Sequence, residues 1–182
     1  MTEIADRYRR LSSGFADRIA GVPPGGWDAV TPCGDWTALD LVRHVIDAQG
    51  MFEQLVGREI GTLPPVANDP GAAWEAARSR IQADLEDPAR AEVTFDGFMG
   101  TSSFEAAVDR FLNFDLIVHG WDLARATGQD DTIAPDDVAW IMAATAGFGD
   151  AMRGPGAFGP ELVPPAGADD QTAMLAFLGR AR

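Results

Sequence analysis

Apolar residues return every three or four positions in one segment after another, and proline or glycine cuts each run, while no series of segments alternates with the two-residue period of strands. A chain patterned this way has to bury helical stripes against one another. Ile4, Tyr8, Leu11, Phe15 and Ile19 mark a first helix that ends at Gly21, before Pro23-Pro24-Gly25-Gly26. Thr37-Ala38-Leu39-Asp40 reads as a capping box with Asp in the usual place of Glu, and Trp36 and Leu41 form a hydrophobic staple across it. The stripe that follows is Leu41, Val45, Ala48, Phe52 and Leu55, closed by Gly57. Asp69-Pro70 supplies an N-cap and a first-turn proline for a third helix carrying Trp74, Ala77, Ile81 and Leu85.

Val93-Thr94-Phe95 reads as a short extended piece. Ser102 to Glu105 is a second capping box, opening a helix that runs to Thr127 and stops at Gly128. Its apolar positions are Phe104, Ala107, Val108, Phe111, Phe114, Val118 and Trp121. A fifth helix starts at Pro135 with Val138, Ile141, Met142, Thr145, Phe148 and Met152. An irregular Pro/Gly strap from Gly154 to Gly167 precedes a short last helix with Met174, Leu175 and Leu178 inward. The expected architecture is all-α, a four-helix bundle with extra C-terminal helices, as one domain over residues 1–182.

Charge narrows the function. Asp and Glu number 28 against 14 Lys and Arg, a net −14 that repels phosphate backbones and anionic lipid, so neither nucleic acid nor a membrane is an expected partner. No run approaches the ~20 apolar residues of a membrane span, and the N-terminus shows no apolar signal core, so a cytoplasmic location is expected. The single cysteine, Cys33, excludes an internal disulfide framework and a multi-cysteine zinc site.

Bundles build metal sites from side chains that face inward on neighbouring helices. Only two histidines exist, His44 and His119, and each interrupts an apolar stripe. Asp115 stands four residues before His119, which places both on one helical face about 5–6 Å apart at Cβ. With His44 from a facing helix, the set is two imidazoles and a carboxylate, suited to a divalent metal with an open coordination position. The same spacing also fits a buried polar network without metal. Asp122 reads as an anchor for Arg125 or Arg43, with orientation of a ligand imidazole as the alternative. Asp40 and Asp47 read as helix-face charge, with orientation of His44 as the alternative. Cys33 reads as a small packing residue, with a redox or nucleophilic thiol as the alternative. The segments near Phe98 and Phe158 read as connections or as the mouth of a substrate site.

Several of these segments together resemble a known family. They are Thr31-Pro32-Cys33-Gly34-Asp35-Trp36-Thr37 with Asp40 to Val45, Asp115 with His119 through Gly128, Phe158-Gly159-Pro160, and Leu175 through Arg180. The chain is similar along nearly its whole length to actinobacterial metal-binding proteins related to the N-terminal domain of mycothiol-dependent maleylpyruvate isomerase, in the DinB-like superfamily. The resemblance implies an up-down-down-up four-helix bundle and one divalent ion held by His44, Asp115 and His119. Zinc is the first choice, with Ni2+ or Fe2+ as others. Asp115 stands where the isomerase has Glu. The isomerase's second domain has no counterpart in these residues, so maleylpyruvate isomerisation is not carried over. What the resemblance does imply is a metal-dependent S-transferase that activates a low-molecular-weight thiol, of the mycothiol type, toward a small electrophilic substrate. A metal-dependent hydrolase and a non-enzymatic metal or small-ligand module remain as alternatives, and the chain is expected as a monomer or homodimer.

Overall fold

The computed structural model describes residues 2–97, 100–146, 153 and 158–182. It divides into two compact units, Met1–Asp130 and Asp131–Arg182. Among the described residues no helix is long and apolar enough to cross a membrane.

The first unit is built from α1 (Glu3–Ala20), α2 (Ala38–Leu55), α3 (Pro70–Glu86), the single turn α4 (Pro88–Ala91), a hairpin of β1 (Thr94–Gly97) and β2 (Gly100–Ser103), and a long last helix. That last helix has three parts: α5 (Phe104–Ala107), a π-helical stretch Val108–Asn113, and α6 (Phe114–Thr127). α1 packs against both α3 and α6, and α2 packs against the same two helices, so a four-helix bundle closes around one core. Tyr8, Phe15, Leu41, Val45, Phe52, Trp74, Ile81, Phe104 and Leu112 meet there. Fold class and helix order are those expected from the periodicity.

The helix starts follow local chemistry. Thr37 Oγ1 accepts from Asp40 N–H at 3.2 Å while Asp40 Oδ2 accepts from Thr37 N–H at 3.3 Å, the reciprocal bonds of a capping box. Asp69 Oδ1 accepts from Ala72 N–H at 2.8 Å, with Pro70 in the first turn. At the far end Gly128 takes φ +72°, the left-handed conformation that closes α6.

Four expectations need correction. Ser103, not Ser102, caps the last helix: its hydroxyl accepts from Ala106 N–H, and the helix begins one residue later than the Ser102–Glu105 box requires, at Phe104. Phe111 is 43 % exposed while Leu112 is fully buried. The π stretch is the reason: i→i+5 bonding lengthens the turn, so residues four apart (Val108, Leu112, Leu116) stay in phase where a regular helix would bring Phe111 inward. Leu55, in the last turn of α2, and Met142 are also exposed, because each stripe swings off its buried face at these positions.

The second unit holds α7 (Pro135–Thr145) and α8 (Asp170–Phe177), which pack on each other. Gln171 ties the unit together: its side chain accepts from Ile133 N–H at 2.9 Å and donates to Asp131 C=O at 2.8 Å. The described part of the strap lies on α8, with Leu162 N–H donating to Ala176 C=O and the Arg153 guanidinium stacked over Phe177. Phe98, Phe148 and Met152 lie outside the described residues.

Candidate metal centre

α2 and α6 face each other across the bundle, and their histidines meet. The His44 and His119 rings stand edge to face with centroids 5.2 Å apart. One donor atom each from His44, Asp115 and His119 lies within 4.8 Å of the other two. The Asp115 and His119 pair arises from regular helix geometry below the π stretch, one turn apart on α6. His44 comes from the first half of α2, whose direction the Thr37–Asp40 box sets.

His119 is 7 % exposed and Asp122 fully buried, and Nδ1 of the ring lies 3.0 Å from Asp122 Oδ2. A buried carboxylate opposite an imidazole draws the ring hydrogen to Nδ1, which donates to it and leaves the Nε2 lone pair available. Asp122 therefore orients His119, the alternative reading of that residue. Arg43 instead pairs with Asp40 at 2.8 Å. Thr37 and Arg43 together hold the Asp40 carboxyl below its ordinary range, Thr37 contributing more.

His44 is half-buried, and its pKa is pushed down, first by burial and then by the facing His119, with Asp115 and Asp47 opposing. A lowered pKa keeps the imidazole neutral, the form that can coordinate a cation. The Trp36 indole covers His44 at a centroid distance of 4.7 Å and reaches His119 at 6.3 Å, an apolar wall on the histidine pair.

The donor set fits a divalent cation. Ligands on a tetrahedral ion with bonds of about 2.0–2.2 Å stand about 3.3–3.6 Å apart, so donors already within 4.8 Å need only small side-chain rotations. Two imidazoles and one carboxylate also form the three-ligand pattern of sites that keep a coordination position open.

Comparison with known proteins adds the family. The model of the mycothiol maleylpyruvate isomerase N-terminal domain matches residues 8–124, well over half the chain and the stretch that contains His44, Asp115, His119 and Asp122. The chain belongs to this family. The family is associated with mycothiol-related, metal-binding proteins of DinB-like fold. Two uncharacterized proteins of Mycobacterium tuberculosis, from strains CDC 1551 / Oshkosh and ATCC 25618 / H37Rv, are each 32 % identical to it over 177 residues, covering 95 % of this chain and 95 % of theirs. No solved structure matches the chain at a significant level.

The structure places a further residue beside this centre, a contact that spacing along the chain does not reveal. Cys33 places its sulfur within 4.8 Å of a ring nitrogen of His119 and a carboxylate oxygen of Asp122. Only the closing of a loop from elsewhere in the chain makes that contact. The spacing of three between His119 and Asp122, by contrast, was a usable signal.

Proposed function

We propose that His44, Asp115 and His119 hold one divalent cation, zinc in the first instance, and that the protein is a metal-dependent S-transferase. It would join a low-molecular-weight thiol of the mycothiol type to a small electrophile. The observation that carries this reading is the meeting of three ligand-type side chains from two separate helices within 4.8 Å, in a family of mycothiol-related proteins. A cation bound there supplies Lewis acidity and lowers the pKa of a thiol or water at its open position.

The chain's own residues do the remainder. His44 stays neutral at physiological pH because burial and its imidazole neighbour disfavour the charged ring. Asp115 brings one negative charge to offset the cation, and Asp122 fixes the ring plane of His119 through Nδ1. Trp36 keeps water from one side of the histidine pair, which strengthens every electrostatic interaction inside. In the transfer the thiol proton would pass to solvent and the sulfur would bond to the electrophile's carbon, which either loses its leaving group with the bonding electron pair or, at an activated double bond, passes the π pair to the neighbouring atom, where a proton from solvent is taken up.

A thiol-consumption screen against small electrophiles, run with zinc-loaded and chelator-treated protein, tests the reading. Consumption that needs the loaded protein and disappears in His119→Ala supports it. Turnover unaffected by chelator and by that substitution contradicts it.

A further inference from the structure

Cys33 is the chain's one cysteine and takes no part in the centre just described. Its loop is closed by two backbone bonds, Thr31 N–H to Trp36 C=O at 2.9 Å and Trp36 N–H to Cys33 C=O at 3.4 Å. The bend needs Gly34, whose φ of +61° lies in the left-handed region. Thr31 Oγ1 also accepts from Cys33 N–H at 3.2 Å. A loop pinned in this way presents the sulfur to a fixed place, and that place is the His119–Asp122 hydrogen bond.

We propose that Cys33, His119 and Asp122 form a second cation site, selective for thiophilic divalent ions, which shares only His119 with the first. Three observations support it. A sulfur, an imidazole nitrogen and a carboxylate oxygen lie within 4.8 Å of one another. Two of the three side chains are buried, Asp122 completely and His119 to 7 % exposure, so water competes weakly for an ion held there. His119 Nδ1 and Asp122 Oδ2 are already 3.0 Å apart, close to the roughly 3.3 Å that two ligands of one ion span. The thiolate is what separates the two sets: sulfur favours soft ions, whereas the oxygen and nitrogen donors of His44 and Asp115 do not discriminate in that way.

Proton accounting makes the two sites antagonistic. An ion at the second site takes Nδ1, so the ring hydrogen moves to Nε2 and the first site loses its imidazole lone pair. The thiol proton leaves to solvent, one for each ion bound. A soft ion at Cys33 therefore disarms the first centre.

Cadmium titration of the full chain, freed of metal and kept reduced, is the test, read by the ultraviolet thiolate-to-cadmium charge-transfer band and by equilibrium dialysis. The expected result is a band that saturates with one cadmium. Cys33→Ser abolishes it, Asp122→Asn weakens binding by roughly tenfold or more, and His44→Ala, which breaks only the first set, leaves it within about twofold. Cadmium bound with no thiolate band overturns the proposal. So does a band indifferent to Asp122→Asn, the mark of a lone surface thiol, or one lost in His44→Ala, the mark of a single composite site. The outcome is independent of the transferase reading, because thiol turnover in zinc-loaded Cys33→Ser reports on the first centre alone.

Discussion

α2 carries two clusters of ionisable side chains, and they satisfy their charges in opposite ways. Nine residues past His44, two and a half helical turns along, Glu53 lies fully buried on the other face. Asp84 of α3 lies beside it at 1 % exposure. Here the counter-charges belong to the protein. Arg58 reaches Asp84 at 2.6 Å, Arg90 Nη2 at 2.8 Å, and Arg80 Nε stands 3.7 Å from Glu53. At the His44 end the carboxylates face imidazoles. A guanidinium has no lone pair and can only donate, so the Glu53 cluster is closed to metals. A neutral imidazole has a lone pair and no charge, so the His44 cluster can take up a cation from solution. Two clusters to which α2 contributes thus differ in kind, through the partner that each acid meets rather than the acid itself.

The proton state sharpens the contrast. Burial pushes the Asp84 carboxyl up, but the Arg90 hydrogen bond with the charges of Arg80, Arg90 and Arg58 outweighs it and holds the group below its ordinary range. Glu53 goes the other way, to about 7, through burial first and then the charge of Asp84 and a hydrogen bond shared with it. Its carboxyl finds no other hydrogen-bond partner among the described residues. The adjustable charge at this end is a proton; at the other, on the proposed reading, it is a metal.

The largest expected effect is at the closed cluster. Asp84→Ala strands Arg58, Arg90 and a buried Glu53, and should cost about 3–5 kcal/mol in denaturant unfolding, the same with zinc or with chelator. A zinc-dependent loss would break the division between the two ends. Asp115→Asn should act in reverse, lowering zinc affinity by roughly tenfold to a hundredfold while leaving the chelator-treated melting temperature nearly unchanged. Equal destabilisation in both buffers would make the His44 end a metal-free polar network.

Glu53→Gln comes next. A native carboxyl with a pKa near 7 and an unfolded one near 4.5 holds more protons folded than unfolded between those values, so stability falls as pH rises through that window. Wild type should lose about 3 kcal/mol between pH 4.5 and pH 8, and Glu53→Gln should remove most of that slope. A slope of unchanged size in the variant would assign it to other groups.

Much of this was legible in the sequence. Helix positions, the Thr37–Asp40 box, the Asp69 cap and the Gly128 stop depend on neighbours within one turn, and the one-turn spacing of Asp115 and His119 is equally local. What sequence could not supply depends on helix phase or chain closure. Nothing in Val108–Asn113 announces a π stretch, so Phe111 reads as core where Leu112 is. Glu53 and Asp84 carry no signal of their own in the sequence, since only packing of α2 on α3 brings their arginines into reach. Cys33 reads as a small packing residue or a reactive thiol, and only the loop closed by the Thr31–Trp36 bond brings its sulfur to His119 and Asp122 on α6.

The central claim is tested most directly by metal content. Protein freed of metal, incubated with zinc and dialysed should retain one equivalent in wild type and essentially none in His119→Ala by elemental analysis. A full equivalent retained by that variant would contradict the assignment of His44, Asp115 and His119 as the ligands.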